Sequence, residues 1–138
     1  MCGDWHPDGI AILGKMRTMA GGQILQIAEQ SIGAERCELR LEGELDLWSV
    51  ERLQAVVQRV ARDNKAIVVG LESCEFVDST GIALFLQVRR QLEGQGGRLV
   101  IYGCSDQVLR IFTVAGLTDA GIVFDSRGEA IAELAVAE

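Results

Sequence analysis

Ala66-Ile-Val-Val-Gly-Leu71, then Phe76-Val-Asp-Ser-Thr-Gly81, then Leu84, Phe85, Val88 and Leu92 decide the fold. The first run is apolar throughout, as a strand covered on both faces should be. The four residues after the turn recur at helical spacing, while Arg89, Arg90 and Glu93 fall elsewhere. They predict a helix over about 80–94, stopped by Gly94-Gln-Gly-Gly97, and Arg98-Leu-Val-Ile-Tyr102 is the next strand. Strand, helix and strand in this order make a crossover unit with parallel strands.

Upstream, Arg36-Cys-Glu-Leu-Arg-Leu-Glu42 puts Cys37, Leu39 and Leu41 on one side and charged residues on the other, the period-2 mark of a half-buried strand. Ile24-Leu-Gln-Ile-Ala-Glu29 is a weaker strand, turned back by Ser31 to Glu35 as a hairpin. Val50, Leu53, Val57 and Val60 predict a helix over 50–62, with Ser49 as N-cap and Asp63-Asn64 at its end. Downstream, Ser105 caps a helix at 106–115 and Gly116 follows it; Ile122-Val-Phe124 is a short strand, and Ser126 opens a helix to about Val136. The order β-β-α-β-α-β-α-β-α is an α/β sandwich. Residues 1–22 differ: they hold the only proline, Pro7, and the only histidine, His6, and end in Ala20-Gly21-Gly22. They read as a poorly ordered N-terminal extension, although Ile10 to Leu13 suits a short docking segment, and the folded domain is expected over 23–138.

A chain of 138 residues holds one core. Its apolar fraction of 49% and charged fraction of 24% are those of a globular domain. The net charge of −7 repels phosphate backbones and anionic lipid, so direct nucleic-acid and membrane binding are disfavoured, and a partner with a basic face fits better. Solubility alone explains the charge equally well. No apolar run approaches the roughly 18 residues of a membrane span, and the N-terminus lacks the basic start and apolar stretch of a secretory signal. Cys2, Cys37, Cys74 and Cys104 are scattered and contain no Cys-x-x-Cys pair; with a single histidine this leaves no metal constellation and no cofactor motif, and a reducing cytoplasm is the expected compartment. Cys74 and Cys104 can share one edge of the fold, where two structural thiols are favoured over a redox disulfide.

Asp78, Ser79 and Thr80 are all capping residues at the mouth of a predicted helix, so a purely structural role explains any one of them. Three in a row exceed what one cap requires. Gly81 in the first turn costs about 1 kcal/mol relative to Ala, which suggests a close approach by something. A hydroxyl at a helix N-terminus also stands where a phosphate is stabilised by free N–H groups and the macrodipole. Gly43-Glu-Leu-Asp46 follows the strand at 36–42 as an ordinary turn; if strand ends gather on one side, Asp46 lies near Ser79. Trp48 is a core anchor or an exposed contact, with contact favoured by its place between Leu47 and Ser49. Arg89 and Arg90 read as a solvated helix face.

Gly43-Glu-Leu-Asp46, Asp78-Ser-Thr-Gly81 and Arg110-Ile-Phe-Thr-Val-Ala-Gly-Leu117, in this order and spacing, resemble the STAS domain of bacterial anti-sigma factor antagonists over about residues 24–137. The resemblance implies a mixed central sheet of about five strands with about four helices largely on one face. It implies that Ser79, and less readily Thr80, accepts phosphate from an anti-sigma factor with serine kinase activity, and that a phosphatase resets the switch. Asp46 and Asp78 match the family's two motif aspartates, and the implied partner surface comprises Asp46, Trp48, Asp78, Ser79, Thr80, Gly81 and Ile82. Family members often carry Leu-Gly where this chain has Ile82-Ala83, so Ala83 adds a methyl near the contact face. STAS-like domains also serve as scaffolds or regulatory subunits in stress-signalling and transporter assemblies, which is the alternative role. Catalysis is not expected: a nucleophilic Ser79 needs a base, His6 lies in the extension, and both the Gly-x-Ser-x-Gly elbow and a phosphate-binding lysine loop are missing.

Overall fold

The computed structural model describes residues 12–16 and 25–137. In chain order the elements are β1 (Ile12–Met16), β2 (Leu25–Gly33), β3 (Arg36–Leu45), α1 (Val50–Asp63), β4 (Ala66–Val77), α2 (Ser79–Gly94), β5 (Arg98–Tyr102), α3 (Asp106–Val114), β6 (Val123–Phe124) and α4 (Arg127–Ala137). The strands lie side by side in that same order as one sheet of six. β1, β2 and β3 are antiparallel neighbours, while β3 to β6 run parallel, so the sheet is mixed. The five strands expected from sequence are all present. The sixth, β1, comes from within the expected N-terminal extension and adds to the edge by pairing with β2; Trp5, His6 and Pro7 lie outside the described residues.

The period-2 rule sorts β4 onto two cores. Ile67, Val69 and Leu71 join Leu39 and Leu41 beneath α1, α2 and α3, against Leu53, Val57, Leu84, Phe85, Val88 and Phe112. The rings of Phe85 and Phe112 meet edge to face, with centroids 6.0 Å apart. Ala66 and Val68 point the other way and, with Val100 and Tyr102, pack on Ala130 and Leu134 of α4. Three helices thus cover one face and α4 covers part of the other.

Four local readings change. The charged side of β3 was expected to face solvent, yet Glu38 is fully buried. The Tyr102 hydroxyl donates to its Oε2, and Arg127, the first residue of α4, donates from Nε to both carboxylate oxygens at 3.0 and 3.1 Å. A Cβ at Gly70 would fall 2.5 Å from the Tyr102 hydroxyl oxygen, so glycine there makes the room for this group. Burial, then the hydrogen bond to Glu38, push the Tyr102 phenol above its ordinary value, and the Glu38 hydrogen bond raises Arg127. Second, Gly43 is strand and no turn: it sits at a register shift in the β3–β4 pairing with φ 113°, a backbone conformation that glycine reaches without strain. Third, Ser49 is fully buried and makes no side-chain cap to α1. Its hydroxyl accepts from Asp46 N at 3.0 Å and donates to Glu44 O at 3.0 Å, tying the β3–α1 loop to the strand it leaves. Fourth, β4 runs on from Leu71 to Val77, paired there with β3 alone, because β5 stops opposite Gly70.

The remaining caps follow the sequence. Ser105 Oγ accepts from Val108 N at 3.2 Å, and Ser126 Oγ accepts from Glu129 N at 3.2 Å and donates to Glu129 Oε1 at 3.3 Å, so both serines cap their helices. At the end of α3, Gly116 has φ 88° and Leu117 N donates to Phe112 O at 2.9 Å, with Leu117 fully buried. That is a Schellman stop, and it explains why the Phe-Thr-Val-Ala-Gly-Leu run reads as it does.

Candidate functional site

The two longest parallel strands end together. Leu45 at the end of β3 is in register with Val77 at the end of β4, and Asp78 N donates to Leu45 O at 3.0 Å. Asp78 then leaves the strand in an extended conformation and caps α2. Its Oδ1 accepts from Thr80 N at 2.9 Å and Gly81 N at 3.2 Å, and also takes the Thr80 hydroxyl. Its Oδ2 accepts from Leu47 N at 3.0 Å. One carboxylate therefore satisfies the helix mouth and fastens the neighbouring β3–α1 loop across 31 residues of sequence.

Ser79 is the first residue of α2 and is exposed. Among the described residues neither its hydroxyl nor its N–H has a hydrogen-bond partner. The contrast with Thr80 is chemical: the Thr80 hydroxyl is committed to Asp78 and half-buried, whereas that of Ser79 is free in solvent. A phosphate on Ser79 Oγ would find an unpaired N–H and the positive end of the α2 macrodipole beside it.

The expected juxtaposition of the two motifs holds for their loops, joined by the Leu45–Asp78 and Leu47–Asp78 bonds. Asp46 itself is half-buried and shapes its own loop: its Oδ1 accepts from Trp48 N at 3.0 Å and Ser49 N at 3.1 Å. Trp48 is 49% exposed, which favours contact over core anchor. Gly81 is different from its expected part. It is buried, and an added Cβ would fall 2.8 Å from Leu45 Cδ2 and 2.9 Å from Val77 Cγ1. What approaches Gly81 closely is the protein's own strand ends, and the absence of a Cβ is what lets α2 seat against them. Ile82 is half-buried and lines a groove of ≈ 390 Å³ with Arg110, Ile111, Val114 and Ala115.

Sequence reasoning missed two exposed apolar residues in this region, Leu47 at 63% and Val114 at 85%. Helical spacing on α3 predicts Val108, Ile111, Phe112 and Ala115 as its core face and leaves Val114 outside it; Val108 and Phe112 are buried, but Ile111 is half-buried and Ala115 exposed. Cys74 and Cys104 are free thiols. Burial pushes Cys74 up to about 11, and burial with the neighbouring Cys74 pushes Cys104 up to about 12, which sets both against thiolate chemistry at neutral pH. Among the described residues no group of three or more His, Cys, Asp or Glu could hold a metal ion, and no helix is long and apolar enough to cross a membrane.

A mixed sheet whose parallel strands end at one turn, with an exposed serine at the mouth of the following helix, has the layout in which α/β folds meet ligands and partners at strand ends. Comparison with known proteins makes the class specific. The family model described as "Mlab, STAS domain" matches residues 28–124. The anti-sigma-B factor antagonist of Staphylococcus aureus (strain NCTC 8325) is 36% identical over 83 residues, spanning 59% of this chain and 77% of that protein. The structure of the anti-sigma factor antagonist SpoIIAA in its unphosphorylated form superposes with a TM-score of 0.68 at 30% identity, covering 76% of this chain and 92% of that one. The Bacillus cell fate determinant SpoIIAA in its phosphorylated form superposes with a TM-score of 0.64 at 28% identity, covering 78% and 97%. The chain belongs to the STAS-domain family, among the anti-sigma factor antagonists.

Proposed function

We propose that this chain is an anti-sigma factor antagonist working in the cytoplasm: unphosphorylated, it binds an anti-sigma factor that is also a serine kinase, and so frees the sigma factor. Phosphorylation of Ser79 by that partner turns binding off, and a phosphatase restores it. The observation that carries the reading is the free, exposed Ser79 hydroxyl beside the committed hydroxyl of Thr80. That a similar antagonist has been solved in both unphosphorylated and phosphorylated forms supports it.

The switch is electrostatic. A phosphate adds about 1.5 to 2 negative charges at a turn that already holds Asp46 and Asp78 in a chain of net charge −7. Desolvating that group against a partner surface that offers no additional cation costs several kcal/mol, and about 1.4 kcal/mol is already tenfold in affinity. Within the molecule the helix mouth accommodates the charge, so the fold survives while docking fails.

The test is to purify the protein from its own cells, map phosphate by mass spectrometry, and isolate the kinase that modifies it. Ser79→Ala is expected to retain binding to that kinase and to lose phosphorylation. Ser79→Glu is expected to bind at least about tenfold more weakly. Ser79→Glu binding as tightly as the unsubstituted chain would sink the electrostatic account.

A further inference from the structure

We propose that the groove between α2 and α3 is a second part of the docking surface, taking an apolar side chain of the anti-sigma kinase while a carboxylate of that kinase pairs with Arg110. The proposal rests on the reading of Ser79 given above and names chemistry that the reading leaves open. Ile82 stands three residues after Ser79, one helical turn along α2, so the groove it lines begins about one turn from the serine. The other walls are Ile111, Val114 and Ala115 of α3 and its end, and Val114 is left 85% exposed. A single exposed apolar residue is ordinary; an exposed valine on the rim of an apolar groove beside a modifiable serine is a place where another surface gains by covering it.

Charge says what kind of surface. Arg40, Arg59, Arg89, Arg98 and Arg127 each pair with a glutamate. Arg62, Arg90 and Arg110 are exposed and have no ion pair among the described residues, and of these three only Arg110 lines the groove. An arginine that lays its carbons along an apolar wall and keeps its guanidinium in water is set to take a carboxylate in two-point geometry. A second copy of this chain is the poorer occupant, because two chains of net charge −7 repel.

The probe is the purified kinase that phosphorylates Ser79, titrated by calorimetry against the full chain. Val114→Ser and Arg110→Glu are each expected to weaken binding at least about tenfold and to slow Ser79 phosphorylation, with unchanged thermal midpoints because both positions are exposed. Arg62→Glu, the same charge change in the last turn of α1, is expected to bind like the unsubstituted chain. An acidic-to-lysine substitution selected in the kinase should restore binding to Arg110→Glu. Normal binding by both groove variants, with Ser79→Glu impaired, overturns the groove and leaves the switch standing. Tight binding by Ser79→Glu overturns the switch itself. Sedimentation showing a dimer that Val114→Ser dissolves makes a second copy the occupant and overturns the proposal.

Discussion

Asp78 and Glu38 are both carboxylates that gather hydrogen bonds from distant parts of the chain, and they leave opposite results. Glu38 lies fully buried beneath α4, where Tyr102, Arg127 and Arg40 occupy it. Asp78 lies half-buried at the strand ends, where it satisfies Thr80, Gly81 and Leu47 and leaves the hydroxyl between them unbonded. The number of hydrogen bonds on a carboxylate does not distinguish architecture from function. What distinguishes them is whether the closed network leaves a reactive group facing water.

The largest test of that contrast is Glu38→Ala. It strands the buried Tyr102 hydroxyl and unpairs the part-exposed Arg127, and is expected to lower stability by about 3 kcal/mol, read by urea unfolding, with the remaining folded protein binding its partner normally. Gly81→Ala is expected to cost about 1–3 kcal/mol by overpacking against Leu45 and Val77; a cost near zero would mean that α2 can shift on the strand ends. Alkaline pH acts on the buried side only. The folded Cys74 thiol sits at about 11 against an ordinary 9.0, so between these values the unfolded chain binds fewer protons than the native one and stability falls as pH rises. The thermal midpoint should hold below pH 9 and drop towards pH 11, and Cys74→Ala should remove part of that drop. The smallest effect is the most telling: Ser79→Ala is expected to change stability by no more than about 0.5 kcal/mol, since its hydroxyl bonds to nothing among the described residues. A larger loss would make Ser79 a structural residue and erase the contrast.

Much of the fold was legible because it is local. The helical stripes of α1, α2 and α3, the apolar β4 and the Ser105 and Ser126 caps follow from spacing and residue type within a dozen positions. The meeting of the two motif loops was legible too, because parallel strands end on one side. The misses needed partners far along the chain. Glu38 looked solvent-facing because alternation along β3 cannot reveal that Arg127, 89 residues later, closes over it. Ser49 looked like a cap because its bond to Glu44 O depends on how the loop folds back. Gly81 looked like room for a ligand because sequence does not show that Leu45 and Val77 converge on it. The β1 pairing had no strong alternation to announce it.

The Asp78 cap has a consequence for how any kinase reads this substrate. Because two first-turn N–H groups and the adjoining loop are fastened to one carboxylate, Ser79 is offered on a helical shoulder, next to the loop that carries the exposed Leu47 and Trp48 from a remote stretch of chain. An extended peptide copied from residues 72–86 would reproduce none of that arrangement. Under the proposed switch, a kinase acting on Ser79 would have to grip a folded contour rather than a linear consensus, and its substrate and its binding partner would be one and the same surface.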